Sequence, residues 1–441
     1  MSPNTAALGP NWRKRIVSGI TWATVGTGLT QMANLFVAVV VGRWLGKSEY
    51  GELGALQISI ATFTVFAGPA LAVASAKFIA EYRVQDLAKT GRFVRHSLHV
   101  GISLAVAVSL VFAGLSPFLA QYVFDAPHLV EEFLVASVVL GLVAVDGTTR
   151  GVITGFEGFR PLALVGLVRA AVGISLQLVL VPIFGVMGAL IGLGAFNLIG
   201  CVGNLMVIRR LLKDESVPIG DRPDKAERKL FASIFVPKTL SALAYVPISW
   251  LIAVMLIREP GGFAEMGLLN AGLTWRLALL FLPSVIATTF VPLLNSALGE
   301  GDARSFGRLC RANIGISALA VAAPALVVYL GSSLIIEAYG EDFASGLPVL
   351  KLLVVSAVLT GATVPIGNIL LSLHKAWAGM ALNAATSVVT ITAAILLLDG
   401  GAEGMAIAYL VGHGWHMATS FAYLQRVNRS SGGTSIEEVH R

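Results

Sequence analysis

Five cations stand inside stretches of sequence that are otherwise apolar: Arg150, Arg169, Lys238, Arg276 and Lys351. A charged side chain at the centre of a lipid-facing helix costs about 2.5–3.5 kcal/mol even on the lenient insertion scale, so each is expected to face a cavity or a partner. One acid shares this setting. Asp146 precedes Arg150 by four residues, the spacing at which a helix brings two side chains together. Arg169 and Lys351 stand within about two turns of the starts of their apolar runs, close enough to snorkel to an interface. Lys238 heads a polar stripe continued by Ser241, Tyr245 and Ser249, and Arg276 lies deeper in its run. Positive charge in excess within a low-dielectric cavity is costly until an anion completes it. The chemistry these residues suit is therefore the binding of an anion.

Neutral polar residues add to the same pattern. Thr21, Thr24, Thr27, Gln31 and Asn34 recur at spacings of three or four, which places them on one helical face. Asn383, Thr386 and Thr390 form a similar stripe. Gln31, Asn34 and Tyr245 join the cations and Asp146 as candidate substrate contacts. Interhelical hydrogen bonding accounts for many isolated Ser and Thr residues, but polar faces converging with charges point to a shared wet interior.

Other motifs carry less. The run Gly42-Arg-Trp-Leu-Gly46-Lys47-Ser48 is one residue short of a phosphate-binding loop and falls on the side away from ATP. His413 and His416 share one face of the last apolar run, but no third metal ligand is in sight. They read first as hydrogen-bonded structural histidines and second as cavity lining. Cys201 and Cys310 sit in or beside apolar runs, far apart, and read as buried small hydrophobes, not as a disulfide. No catalytic group, metal or cofactor is expected.

The elements that position these residues follow from composition. Of 441 residues, 56% are hydrophobic and 13% charged, against roughly 25% charged in soluble domains, which excludes an ordinary soluble enzyme. The 47 glycines suit close packing of membrane helices. Long apolar runs such as 16–41 and 133–145 do not alternate, so a barrel is excluded. The fold class is all-α integral membrane. With about 20 apolar residues per crossing, spans are expected near 16–41, 53–76, 97–121, 133–155, 161–183 and 185–208, then 231–257, 265–293, 312–335, 345–371, 378–398 and 402–424. The first run is too long for a cleaved signal and stays attached.

Lys and Arg outside these spans collect on one side, leaving Arg43, Lys47 and Arg258 on the other. The positive-inside rule then puts both termini in the cytoplasm. The basic stretch 83–96 is expected to touch anionic headgroups, and no nucleic-acid partner is expected. A polar stretch, 209–230, separates residues 1–208 from 231–441 and reads as a cytoplasmic linker between two six-helix bundles. The halves resemble each other. Tyr50-Gly-Glu-Leu-Gly-Ala-Leu-Gln57 aligns with Phe263-Ala-Glu-Met-Gly-Leu-Leu-Asn270, and Gly185, Gly188 and Ile191 recur as Gly401, Gly404 and Ile407. Six spans per half give the two copies the same orientation, related by a pseudo-two-fold along the membrane normal.

Two motifs carry a family resemblance. Val41-Gly-Arg-Trp-Leu-Gly46 with Glu49-Tyr50-Gly51 resembles the first external loop of bacterial polysaccharide flippases. Gly151-Val-Ile-Thr-Gly-Phe-Glu-Gly-Phe-Arg160 resembles that family's motif at the cytoplasmic end of the fourth span. The chain thus resembles the Wzx-type branch of the multidrug, oligosaccharidyl-lipid and polysaccharide exporter superfamily. That resemblance implies a multi-pass inner-membrane flippase in which two bundles alternate access to a central cavity. The implied substrate is a polyprenyl-pyrophosphate-linked oligosaccharide for lipopolysaccharide O-antigen or exopolysaccharide. Membrane lipids and polysaccharide polymerisation and export machinery are the implied partners. Cavity cations of the family are thought to meet the pyrophosphate, which suits Lys238 and Arg276 on the charge argument. A cation-coupled multidrug exporter is the alternative, weakened because the first and seventh spans contain no Asp or Glu. A membrane-embedded glycan polymerase or ligase is the alternative of another class, and the short external segments do not supply its catalytic loop.

Overall fold

The computed structural model describes residues 12–219, 222–243, 246–299, 302–373 and 375–431, and the described residues form helices without strands. In chain order they are α1 (Trp12–Thr64), α2 (Pro69–Tyr82), α3 (Leu87–Phe118), α4 (Val130–Gly155), α5 (Phe159–Asp214), α6 (Lys225–Leu243) and α7 (Pro247–Ile257). There follow α8 (Gly262–Gly299), α9 (Ala303–Leu330), α10 (Ser332–Tyr339), α11 (Leu347–Ser372), α12 (Ala376–Leu396) and α13 (Gly401–Ser431). Among the described residues, seven helical segments are individually long and apolar enough to cross a membrane, and an eighth if the bent pair formed by α1 and α2 counts as one.

Two helices are far longer than one crossing requires. α1 has 53 residues and α5 has 56, against the about 20 that traverse the hydrocarbon at 1.5 Å each. Each is divided where a glycine leaves helical geometry, at Gly46 (φ 71°) and Gly185 (φ 52°). Each is long enough for two crossings, so fewer segments pass individually than the twelve spans expected from the sequence. Gly401, at the start of α13, adopts φ 57° and ψ −139°, close to the 52° and −130° of Gly185. A side chain there would force a left-handed conformation that L-residues disfavour. The glycine repeat read from sequence is thus the same backbone bend made twice. Glu265, another repeated residue, accepts the Ala402 amide at 2.8 Å and so satisfies one of the free amides at the start of α13.

The chain divides into two compact units: residues up to Val37 with Leu56–Ala242, and Ala38–Ala55 with Leu243–Arg441. In the first, α2, α3, α4 and α5 pack around Leu71, Phe78, Phe93, Val152, Ile153 and Ile208. Gly151 and Gly155, four apart on α4, face Ala72, Ala76 and Ile79 of α2. A Cβ on Gly151 would stand 2.5 Å from the Ala72 backbone, so the motif glycines serve close helix contact. At the end of that motif Glu157 takes φ 57° and pairs with Arg83 at 2.7 Å.

The polar stretch 209–230 contains the end of α5 and the beginning of α6. Asp224 and Glu227 bond each other's backbone amides reciprocally, a capping box that starts α6. Glu227 is buried and accepts three hydrogen bonds from Arg92 of α3 at 2.7–3.0 Å, while Phe231 inserts beside Phe78 and Phe93. In the second unit α8, α9, α11, α12 and α13 pack together, and Tyr50 meets Tyr339 and Phe343 edge-on. On α9, Leu319, Leu326, Val327 and Leu330 remain exposed. Such an apolar surface suits lipid, not water.

Candidate functional site

Antiparallel packing of α4 and α5 brings residues 23 apart in sequence together. Asp146 accepts from Arg169 Nη1 at 2.8 Å, and its other oxygen accepts from the Asn204 amide at 2.9 Å. Arg150 Nη1 lies 3.9 Å from the same carboxylate. The expected pairing of Asp146 with Arg150 is thus the longer of two contacts. Arg169, read as a snorkelling candidate without an acidic partner, is buried and is the closer partner of Asp146. The i,i+4 spacing finds a neighbour on the same helix but cannot see one delivered by the next helix. Side-chain exposure separates the two arginines, at 10% for Arg169 and 42% for Arg150.

Asp146, Arg150 and Arg169 line a cavity of about 260 Å³ within the first unit, with Thr64, Gly68, Pro69, Val143, Gly147, Phe196 and Asn197. Arg169 lies over the Phe196 ring, 4.5 Å from its centroid, a contact that holds a guanidinium by its face. Asn204 also donates to Thr149 at 3.2 Å. One carboxylate against two guanidiniums leaves this cluster one positive charge in excess, carried by the exposed arm, Arg150. What the arrangement can do chemically is hold an anion.

The other candidates lie elsewhere. Arg276 is buried in the second unit, where its Nη2 contacts His413 Nε2 at 2.7 Å and Thr360 Oγ1 at 3.0 Å, and its Nε contacts Ser356 Oγ at 3.4 Å. Lys351 extends over the Tyr329 ring, 5.4 Å from its centroid. Lys238 is exposed on α6; on α1 Gln31 is half-buried and Asn34 exposed. Tyr245 lies outside the described residues. The structure brings Asp146, Arg150 and Arg169 together and places Arg276 and Lys351 in the other unit.

Sequence reasoning missed Asn197, Asn204, Ser356 and Thr360. A signal existed for the two asparagines, since they stand seven apart on one face of an otherwise apolar run. Among the described residues no cluster of His, Cys, Asp and Glu could hold a metal ion.

Comparison with known proteins yields both sequence and fold relatives. Residues 16–297 match the family described as polysaccharide biosynthesis protein. The chain is 22% identical over 271 residues to the EPS I polysaccharide export inner membrane protein EpsE of Ralstonia nicotianae, covering 62% of each chain. To the protein of that name from Ralstonia solanacearum it is 23% identical over 47% of each. The matches therefore span about half to three fifths of these relatives. Among solved structures, it resembles an inward-facing multidrug resistance MATE family transporter of the MOP superfamily. There the TM-score is 0.75 at 17% identity, covering 92% of this chain and 99% of that one. A MOP superfamily transporter from Pyrococcus furiosus, described as having a binding pocket of reversed polarity, gives 0.71 at 16% identity over 94% and 96%. At these identities the likeness is one of fold.

Proposed function

The chain belongs to the polysaccharide biosynthesis protein family, and from that premise we propose that it is a flippase of the inner membrane. It moves a polyprenyl-pyrophosphate-linked oligosaccharide, or a similar anionic glycolipid, from the cytoplasmic to the outer leaflet by alternating access, handing it to polysaccharide polymerisation and export machinery. The observation that carries this reading is Arg150, the exposed cation of a cluster whose single carboxylate is already engaged by Arg169 and Asn204. A diphosphate supplies the missing negative charge. At about 260 Å³ the cavity is smaller than the roughly 300–1,000 Å³ that encloses a drug-sized ligand, so it takes part of the headgroup and not the glycan. The distribution of Lys and Arg supports cytoplasmic termini.

Reconstitution tests the reading. Purified protein in vesicles loaded with lipid-linked oligosaccharide of defined length should increase the fraction of glycan accessible to an impermeant lectin, with glycan length unchanged. Lengthened glycan would identify a polymerase. Accessibility no faster than in empty vesicles would refute transport.

A further inference from the structure

His413 of α13 and Arg276 of α8 form a buried contact that the transport reading does not use. Both side chains are buried, and His413 Nε2 lies 2.7 Å from Arg276 Nη2. A guanidinium has donors and no acceptor, so Nε2 must offer its lone pair, the ring proton sits on Nδ1, and the imidazole is neutral. The same reasoning applies to Thr360 of α11. Its hydroxyl donates to the Ser356 carbonyl at 2.8 Å and so accepts from Arg276 at 3.0 Å. The Tyr409 ring lies parallel to His413, 6.3 Å away, and 5.7 Å from the guanidinium carbon. Neutral His413 therefore ties α13 to α8.

His413 also borders a chamber of about 10 Å³, about the least that holds one water. The three α12 hydroxyls that line it are already committed as donors: Thr386 to the Leu382 carbonyl, Ser387 to that of Asn383 and Thr390 to that of Thr386, each at 2.8 Å. What they offer the chamber is lone pairs, an environment that accepts a proton-bearing ring.

We propose that His413 is a proton-binding site whose occupancy releases Arg276. When a proton adds to Nε2, two N–H donors and two positive charges confront each other across the present contact, which must open. Arg276 keeps Thr360 and Ser356 on α11, while α13 loses this one of its links to α8 and keeps the Glu265–Ala402 bond. The titratable groups facing His413 are Arg276 from α8 and Tyr409 and His416 from α13 itself. Among the described residues, the polar groups that α7 and α12 bring to the chamber beside His413 are the hydroxyls of Ser249, Thr386, Ser387 and Thr390, and α11 brings those of Ser356 and Thr360 to Arg276. Asp399, in the turn before α13, is more than three helical turns away. On the flippase reading, on which this consequence rests, a released Arg276 meets the substrate's phosphates, and proton and anion bind cooperatively, each raising the other's affinity.

The test is magnetic resonance of protein in lipid nanodiscs carrying 15N-labelled histidine. The spectrum of His413→Gln, which keeps an acceptor for Arg276 but cannot titrate, identifies the His413 signal by difference. His413 should titrate as a single site, and Arg276→Gln, by removing the opposing charge, should raise its proton affinity about tenfold or more. A His413 signal unchanged from pH 5 to 9 in both proteins, or the same midpoint in both, would overturn the proposal. A short-chain polyprenyl pyrophosphate should raise the wild-type midpoint. If it does not while the other results hold, the proton site stands and the anion contact at Arg276 is refuted.

Discussion

Replacing Asp146 with Asn leaves the guanidiniums of Arg169 and Arg150 without their shared carboxylate. At 2.8 Å and an effective dielectric near 20, the Asp146–Arg169 attraction is about 6 kcal/mol, and at the 3.9 Å of Arg150 it is about 4 kcal/mol. Solvent changes the second figure far more than the first, because the Arg150 side chain is 42% exposed and exposed pairs are worth about 0–1 kcal/mol. For the buried pair, desolvation offsets much of the attraction, but removing one partner alone costs about 3–5 kcal/mol. Asp146→Asn and Arg169→Met should each lower stability by that amount. The double variant should lose much less than their sum, with a coupling of about 2 kcal/mol or more. Asp146 with Arg150→Gln should couple by less than about 1 kcal/mol. Thermal unfolding in detergent, followed by the retained monodisperse fraction, measures both cycles. Additive losses at 146 and 169, or equal coupling to the two arginines, would refute the assignment of Arg169 as the structural partner.

Gly151→Val should destabilise the first unit by about 1–3 kcal/mol, because its Cβ would meet the Ala72 backbone. Gly114→Ala, with nothing within 4 Å of the added carbon, should be neutral or stabilising by the same unfolding assay. Glu227→Gln should loosen the start of α6, read as faster amide exchange over residues 225–231, whereas an Arg92→Glu, Glu227→Arg exchange should restore part of the protection. Asp302 accepts from the Ser305 amide at 2.9 Å, and the Ser305 hydroxyl, foremost, and that amide hold its carboxyl below the ordinary value. Its contribution to α9 is then present above the ordinary carboxylate range and lost as pH falls through the depressed value. Exchange in the first turn of α9 should accelerate on acidification, and Asp302→Ala should show the faster exchange already at neutral pH.

Helix identity was legible because apolar length alone decides what crosses a bilayer, and the glycine pairs 185/401 and 188/404 advertised a bend made twice. The twelve expected crossings are consistent with the helices, since α1 and α5 each run through a glycine bend. The cations were legible by their cost in lipid. Their partners were not, because Asp146 and Arg169 meet only through the α4–α5 packing, and Arg276 meets His413 across 137 positions of sequence. Lys351 shows the limit from the other side: its charge was visible, but the aromatic ring of Tyr329 that receives it belongs to another helix. The two histidines, spaced like metal ligands, turn out to hydrogen-bond Arg276 and Thr386.

The central claim is that Arg150 meets the anionic headgroup of a transported glycolipid, and the initial rate of glycan appearance at the outer face of reconstituted vesicles tests it most directly. Arg150→Gln should lower that rate at least tenfold with the thermal stability of the protein retained, and Arg150→Lys should recover part of it. Wild-type rates in Arg150→Gln would contradict the account.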